Sequence, residues 1–211
     1  MITREQILQW LETLAGVLED NQDYLSELDA AIGDGDHGIN MNRGFQKVRT
    51  QLPNLGDRDI GGIFKTVSMT LISSVGGASG PLYGTLFLRS SMGVGGKSEL
   101  TPEEMGGVLQ AWVEGVVQRG KANLGDKTML DALSPASDAY QQALAQGASG
   151  IEALQQAVAA AEAGMKNTIP LVAKKGRASY LGERSAQHQD PGATSSYLML
   201  KTLQETVAGS P

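Results

Sequence analysis

Apolar residues that recur at three- and four-residue intervals are the feature that most restricts how this chain can fold. One such stripe follows Thr3 and Gln6, which have the spacing of a helix capping box. Another follows Thr101 and Glu104, with Pro102 at the first helical position. Alternating β-branched runs are nearly absent, so the pattern predicts an all-α protein. The ranges expected to be helical are 3–18, 38–50, 57–75, 101–116, 151–168 and 194–207.

One segment fits two structures, because Tyr83–Leu88 also has the composition of a short buried strand. No internal repeat, low-complexity tract or linker divides residues 1–211, and a single domain is the economical interpretation. In an antiparallel helix bundle alternate connections meet at one end, so distant loops can build one site. The glycine-rich and polar connections are residues 29–38, 76–80, 120–129 and 176–192.

Composition excludes several classes of function. The net charge is −6 and only 5% of residues are aromatic, which argues against nucleic-acid binding. The absence of cysteine excludes disulfides, thiolate metal sites and thiol nucleophiles. No apolar stretch approaches the ~20 residues of a membrane span, and the first five residues lack the features of a signal peptide. We therefore expect a cytoplasmic protein with no membrane partner.

Three acids stand close together in the first polar connection, at Asp29, Asp34 and Asp36. Carboxylates crowded in this way repel one another unless a hard cation lies among them, and Mg²⁺ takes such ligands together with phosphate oxygens. A calcium-binding EF-hand is excluded, because Gly38 and Ile39 stand where a ligand and a glycine are required. The alternative is a solvated acidic turn that precedes a helix.

Three further motifs each allow two interpretations. Residues 73–81, rich in Gly and Ser before an apolar run, suit a phosphate cradle at a helix N-terminus or an ordinary turn. Residues 91–98 nearly match a P-loop, but the next helix begins only after Lys97 and Ser98, so the pattern disfavours one. The basic segment 174–184 suits phosphate or an acidic partner, or is a solvated loop.

The order of the motifs is more distinctive than any one of them. Gly-Asp-Gly-Asp-His-Gly, Gly-Gly-Ala-Ser-Gly-Pro, Gly-Asp-Lys-Thr-Met, Gly-Arg-Ala-Ser-Tyr-Leu-Gly-Glu-Arg-Ser and Asp-Pro-Gly-Ala-Thr follow one another. This order resembles the L subunit of dihydroxyacetone kinases over essentially the whole chain. The resemblance implies an antiparallel barrel of about eight helices, with ADP or ATP and two Mg²⁺ ions at one end. The implied metal ligands are Asp29, Asp34 and Asp36, and the implied nucleotide-binding residues are His37, Gly38, Ile39, Asn40, Ala78, Ser79, Gly120, Met129, Arg177, Asp190, Pro191 and Gly192.

The resemblance also implies an activity and partners. A separate dihydroxyacetone-binding subunit (DhaK) would present the sugar, and a phosphohistidine carrier subunit (DhaM) of the phosphotransferase system would rephosphorylate bound ADP. Phosphoryl transfer needs positioning and charge neutralisation rather than a protein nucleophile, so no catalytic residue is expected. Lys174, Lys175 and Arg177 are candidates for a docking rim. The alternatives are an ATP-dependent kinase subunit with exchangeable nucleotide, and a nucleotide-loaded regulatory module that docks to a transcription regulator or a scaffold.

Overall fold

Helices dominate the computed structural model, which describes residues 1–209. Two-residue strands, β1 (Ile2–Thr3) and β2 (Glu99–Leu100), form a small antiparallel ribbon. Short 3₁₀ segments occupy Leu52–Asn54 and Arg177–Ser185. The helices of this part of the chain are α1 (Arg4–Asp20), α2 (Gln22–Ile32), α3 (His37–Gln51), α4 (Ile60–Ser74), α5 (Ser79–Gly93), α6 (Pro102–Gly120), α7 (Leu130–Ala145), α8 (Gly150–Asn167) and α9 (Pro191–Gly209).

Eight of these helices close into an antiparallel barrel. From α3 to α9 each helix packs against the next in the chain, and α1 closes the ring by contacting both α3 and α9. The Trp10 indole donates to the carbonyl of Met199 at 3.1 Å across the α1–α9 seam. Arg49 lies 2.6 Å from Glu12 across the α1–α3 seam. Helix α2 lies outside the ring, against α3, α9 and the second 3₁₀ segment. The predicted all-α barrel is confirmed, with α2 as an addition.

Aromatic side chains from four helices fill part of the interior. Trp10, Phe64, Phe87 and Trp112 are buried, and their ring centroids lie between 5.7 Å and 6.5 Å apart in the contacting pairs. Such pairs contribute about 0.5–1.5 kcal/mol each beyond the burial of their area. The cluster therefore joins α1, α4, α5 and α6 through one core.

Local sequence signals explain several helix boundaries. The predicted capping boxes at Thr3 and Thr101 are both formed, and Ser149 forms a third that was not predicted. The ambiguous segment Tyr83–Leu88 is helical, lying inside α5. A strand at this position would need a neighbouring strand for its backbone hydrogen bonds, but within residues 1–209 β1 and β2 pair only with each other. In α5 these N–H and carbonyl groups instead bond within the helix.

Besides α5, whose central segment was ambiguous, two helices were not predicted. Helix α7 carries Pro135 in its interior, which a propensity argument treats as a helix breaker. Helix α2 extends through Ile32, so Asp29 lies in the last turn of a helix rather than in a loop. The predicted connection 29–38 is thus shorter than expected.

The up-and-down order places four helix beginnings at one end of the barrel. Helices α3, α5, α7 and α9 all start at this end, after the four predicted connections. The N-terminus of a helix carries unpaired backbone N–H groups and a partial positive charge, which favour anions. The β1–β2 ribbon lies at the opposite end. No helix among residues 1–209 has the length and apolarity needed to cross a membrane.

Candidate functional site

A cleft of about 620 Å³ opens at the end of the barrel where α3, α5, α7 and α9 begin. The four connections predicted from the sequence all contribute to its wall. Of the predicted site residues, Asp29, Asp34, Asp36, His37, Ala78, Ser79, Gly120, Met129, Arg177, Asp190, Pro191 and Gly192 line it. Gly38, Ile39 and Asn40 lie beside it in the first turn of α3.

The three acids form a single cluster, with one carboxylate oxygen of each within 4.8 Å of the others. Asp29 Oδ2 accepts hydrogen bonds from the backbone N–H groups of Asp36 at 2.9 Å and His37 at 3.2 Å. Burial raises the pKa of the Asp29 carboxyl against these donors, and repulsion from Asp34 and Asp36 raises it further. An all-oxygen donor set under mutual repulsion fits a hard divalent cation such as Mg²⁺.

Arg177 contacts this cluster from the second 3₁₀ segment. Its guanidinium lies 3.0 Å from Asp34 Oδ2, although the Arg177 side chain itself is 70% exposed. Lys174 lies 3.8 Å from Asp126, and Tyr180 is 90% exposed at the cleft mouth. The basic segment therefore forms one rim of the cleft. This position is compatible with the interpretation that the segment binds phosphate or an acidic partner.

His37 is the centre of a hydrogen-bond network beneath the cleft. Its ring nitrogens lie 3.1 Å from Ser79 Oγ and 2.9 Å from Ser195 Oγ. Tyr83 continues the network, with its hydroxyl 2.8 Å from Ser195 and 3.0 Å from Ser196. Burial lowers the pKa of His37 to about 4, so its imidazole is neutral at pH 7. The network joins the first turns of α3, α5 and α9. Sequence reasoning missed Tyr83 and Ser195, because nothing in their spacing separates them from core residues.

Arg43 fixes the glycine-rich connection after α4. It donates to Asn40 Oδ1 at 2.6 Å and to the carbonyl of Ser74 at 2.9 Å. A Cβ atom at Gly76 would lie 2.9 Å from Asn40 Oδ1, so any larger residue would displace the Asn40 side chain from this position. Gly77 has a φ of +62°, a left-handed conformation that favours glycine. The glycines of this motif serve close approach and turning, as a cradle requires.

Asp190 begins the last helix from a buried position. Its Oδ2 accepts from the N–H of Ala193 at 2.7 Å, and its own N–H donates to Thr168 Oγ1 at 2.9 Å. Burial raises the pKa of Asp190 to about 7, and the neighbouring carboxylate of Asp131 acts in the same direction. Pro191 follows as the first residue of α9. The Asp-Pro-Gly turn thus places the start of α9 against the cleft.

The segment that resembled a P-loop lies at the opposite end of the barrel. Gly95 is packed against Gly61 near the start of α4, whereas the cleft adjoins the end of α4. Lys97 is paired with Glu104 at 2.6 Å, and the Gly96 N–H donates to Asp59. This turn is occupied in holding the start of α4, so the P-loop alternative is excluded.

The fold and the cleft together define a class. Clustered carboxylates in a cleft where four helices begin are typical of a protein that binds a phosphate-bearing ligand through a divalent cation. Two solved structures of the dihydroxyacetone kinase of C. freundii share this fold. The native form matches with a TM-score of 0.70 and 26% identity. The complex with AMP-PNP and Mg²⁺ matches with a TM-score of 0.67 and 29% identity. Each match covers 94% of this chain, which spans about a third of that longer kinase (34% and 33%).

The chain belongs to the DAK2 domain family, whose model matches residues 31–205. It is 48% identical over 96% of its length to the ADP-binding subunit DhaL of the PEP-dependent dihydroxyacetone kinase of Escherichia coli, and covers 96% of that protein. It is 42% identical to the ADP-binding subunit DhaL of the PTS-dependent kinase of Lactococcus lactis, covering 99% of this chain and all of the relative (100%). The likeness to these subunits thus extends over nearly the full length of both proteins.

Proposed function

We propose that this chain is the ADP-binding subunit of a phosphoenolpyruvate-dependent dihydroxyacetone kinase, a phosphotransferase. The observation that carries the proposal is the cluster of Asp29, Asp34 and Asp36 in a cleft where four helices begin. The 48% identity to the E. coli ADP-binding subunit adds the ligand and the reaction. In this role the chain would hold ADP, which would take up a phosphoryl group to become ATP. Transfer of that group to the sugar would regenerate the bound ADP.

The acid cluster is proposed to hold two Mg²⁺ ions, with Asp29, Asp34 and Asp36 as their protein ligands. When bound, the ions neutralise the charge that develops on the phosphate oxygens during transfer. Burial raises the pKa of Asp29 most and repulsion from Asp34 and Asp36 raises it further, and a cation bound among the three carboxylates would relieve that repulsion. The AMP-PNP and Mg²⁺ found together in the C. freundii kinase support this pairing of ligands.

The remaining predicted site residues are proposed to hold the nucleotide. In the first turns of α3 and α5, the backbone N–H groups of Gly38, Ile39, Ala78 and Ser79 are proposed to donate to the phosphates. His37 and Asn40 are assigned to the same wall, although their own N–H groups donate to Asp29 and to the carbonyl of Asp36. The side with Leu82 and Val116 is apolar and suits the base. A Cβ at Gly120 would lie 3.1 Å from Leu82 Cδ2, so glycine keeps this slot wide. The residues assigned to the base side and the rim are Gly120, Met129, Arg177, Asp190, Pro191 and Gly192.

No side chain of the cleft is proposed to carry the phosphoryl group. His37 lines the cleft, but both its ring nitrogens are engaged by serine hydroxyls. The transfer therefore depends on positioning the phosphates and neutralising their charge, which is how enzymes accelerate phosphoryl transfer.

The partners follow from the chain's relation to its relatives. The subunits matched over nearly their full length are named as parts of multi-component kinases. We propose that a dihydroxyacetone-binding subunit presents the sugar at the cleft mouth and that a phosphohistidine carrier recharges the nucleotide there. The exposed Lys174 and Tyr180 and the half-buried Lys175 at the rim are available to meet them.

The test compares Asp34→Asn with Asp23→Asn, an exposed acid of α2 outside the cluster. Calorimetry with ADP at millimolar Mg²⁺ should show binding by the unmodified chain and by Asp23→Asn, and binding at least tenfold weaker by Asp34→Asn. Reconstitution with partner subunits should then transfer phosphate to dihydroxyacetone. Equal affinity of all three proteins with and without Mg²⁺ would contradict the metal assignment.

A second measurement separates the bound-coenzyme type from its alternative. ADP that stays with the protein through gel filtration favours a coenzyme recharged in place, whereas rapid loss favours an ATP-dependent subunit that exchanges nucleotide. Nucleotide binding with no transfer in the reconstituted system would favour the regulatory module instead.

A further inference from the structure

Lys127 belongs to the lining of the cleft but is almost completely buried, with an exposed fraction of only 1%. Lysine is almost never buried to this degree unless its charge has partners. Its backbone is also in the left-handed region, with a φ of +62°, which a non-glycine residue seldom adopts. Burial of a charged side chain and a left-handed backbone both cost free energy, so the contacts around Lys127 must stabilise this conformation.

The partners of the Lys127 ammonium are backbone carbonyl oxygens from two other segments. It donates to the carbonyl of Thr168 at 2.7 Å, to that of Ile169 at 3.5 Å and to that of His188. Thr168 and Ile169 follow the last residue of α8, where carbonyls lack helical partners and the helix dipole favours a cation. An ammonium with three rotatable donors satisfies all three.

Two of the segments joined at Lys127 carry residues of the proposed nucleotide site, and the third is the end of α8. Lys127 lies in the connection that contains Gly120 and Met129, while His188 stands two residues before Asp190. Further bonds tie the same parts together, from the Gln187 N–H to the Ile169 carbonyl at 2.7 Å and from the Asp190 N–H to Thr168 Oγ1 at 2.9 Å. Without the ammonium, three carbonyls at this junction would lose their charged donor.

The loop around Lys127 is held independently by a carboxylate. Asp131, in the first turn of α7, accepts from the N–H groups of Gly125 at 2.6 Å and Thr128 at 2.7 Å. The loop is thus anchored to α7 on one side, and Lys127 connects it to α8 and α9 on the other. A change at Lys127 should loosen this connection without dissolving the loop itself.

We propose that Lys127 is a positioning residue, whose ammonium fixes the 186–192 turn against the 120–129 connection so that the two walls of the nucleotide site keep their spacing. The effect of Lys127 on nucleotide binding rests on the proposed function. Its effect on the position of residues 186–192 does not depend on that function. The two parts can therefore be tested separately.

The first experiment uses the ligand-free full chain and hydrogen exchange. The variant is Lys127→Met, and the control is Leu154→Ala, a buried residue of α8 at the opposite end of the barrel. In Lys127→Met the amides of Gln187, Asp190 and Ala193 should exchange at least tenfold faster, while the amides near Thr101 stay protected. In Leu154→Ala the site-end amides should keep their protection. Unchanged exchange at residues 187–193 in Lys127→Met would overturn the proposal, whether or not the protein binds nucleotide.

The second experiment measures affinity for ADP with Mg²⁺ at a temperature where all variants are folded. Lys127→Met and Lys127→Ala should bind at least tenfold more weakly, and Leu154→Ala within twofold of the unmodified chain. Propylammonium supplies the atoms missing from Lys127→Ala, so tens of millimolar should restore its affinity in a saturable way and leave Leu154→Ala unaffected. Normal affinity of folded Lys127→Met would refute the positioning role. An unmodified chain that fails to bind ADP would refute the proposed function instead, and leaves the exchange result to decide on the turn.

Discussion

At the scale of single residues, the site contains two carboxyl groups, those of Asp29 and Asp190, whose pKa is raised mainly by burial. Asp190 accepts a hydrogen bond at the start of α9, but burial outweighs this bond and raises its pKa to about 7. Asp29 is raised in the same direction, by burial first and by Asp34 and Asp36 next. Carboxylates held in this way cost stability in the ligand-free protein, and this cost is relieved where a cation binds.

The raised pKa of Asp190 predicts a pH dependence of stability. The group binds its proton more tightly in the folded state than in the unfolded chain, where its pKa is near 3.8. Its favourable contribution is therefore complete below about pH 4 and is lost as the pH rises to about 7. Urea denaturation without Mg²⁺ should show the unmodified chain losing about 2–4 kcal/mol relative to Asp190→Asn across this range. Asparagine can still accept from the Ala193 N–H, so parallel pH profiles would contradict a buried, titrating Asp190.

At the scale of helices, close approach depends on glycine at particular seams. A Cβ atom at Gly164 would lie 2.0 Å from the carbonyl oxygen of Asp131, where α8 crosses α7. The same region accommodates Pro135, whose ring would lie 3.1 Å from that Cβ. By contrast, a Cβ at Gly107 in α6 would meet nothing within 4 Å. Glycine is therefore needed for close packing at position 164, whereas at position 107 it only lowers the stability of the helix.

These two glycines form a matched pair for measurement. Gly164→Ala should lower the free energy of unfolding by about 1–3 kcal/mol, because the α7–α8 seam must open to admit a methyl group. Gly107→Ala should raise it by about 0.5–1 kcal/mol, through the lower entropy of the unfolded chain. Chemical denaturation with circular dichroism measures both. Equal effects of the two substitutions would show that the seam relaxes freely.

At the scale of the whole molecule, closure of the ring of helices means that several helices contribute side chains to one core. Phe87 contacts Trp10, Phe64 and Trp112, which belong to three other helices. Phe87→Ala should therefore cost about 3–5 kcal/mol in one cooperative transition. Met92→Ala, on the same helix but with Met92 70% exposed, should change stability by less than about 0.5 kcal/mol. A second unfolding transition in Phe87→Ala would indicate that part of the barrel folds separately.

The ligand should stabilise the entire barrel, because four of its helices begin at the site. With ADP at a hundredfold excess over Kd and with Mg²⁺, binding should add about 2.7 kcal/mol. For a domain of this size that corresponds to about 5–10 °C in Tm, measurable by differential scanning fluorimetry. Asp34→Asn, which should bind at least tenfold more weakly, should show at most about half of this shift. A full shift in that variant, or none in the unmodified chain, would contradict nucleotide binding through the acid cluster.

The sequence by itself determined six of the helices within residues 1–209 and the four connections that meet at the cleft. Capping boxes and apolar stripes are local patterns, so Thr3, Thr101 and the stripes behind them could be interpreted without tertiary information. The acids at Asp29, Asp34 and Asp36 are close in the chain, and their proximity in space follows. The assignment of the more distant residues to one site came from the order of the motifs, not from their spacing.

The tertiary structure alone decided what depends on partners far apart in the chain. Helix α7 forms despite Pro135 because its packing against α8 outweighs local propensity. The network from His37 to Ser195 joins residues 158 positions apart, and the ammonium of Lys127 reaches carbonyls 41, 42 and 61 positions away. Such contacts leave no periodicity in the sequence, since burial and hydrogen-bond partners are set by how the ring of helices closes.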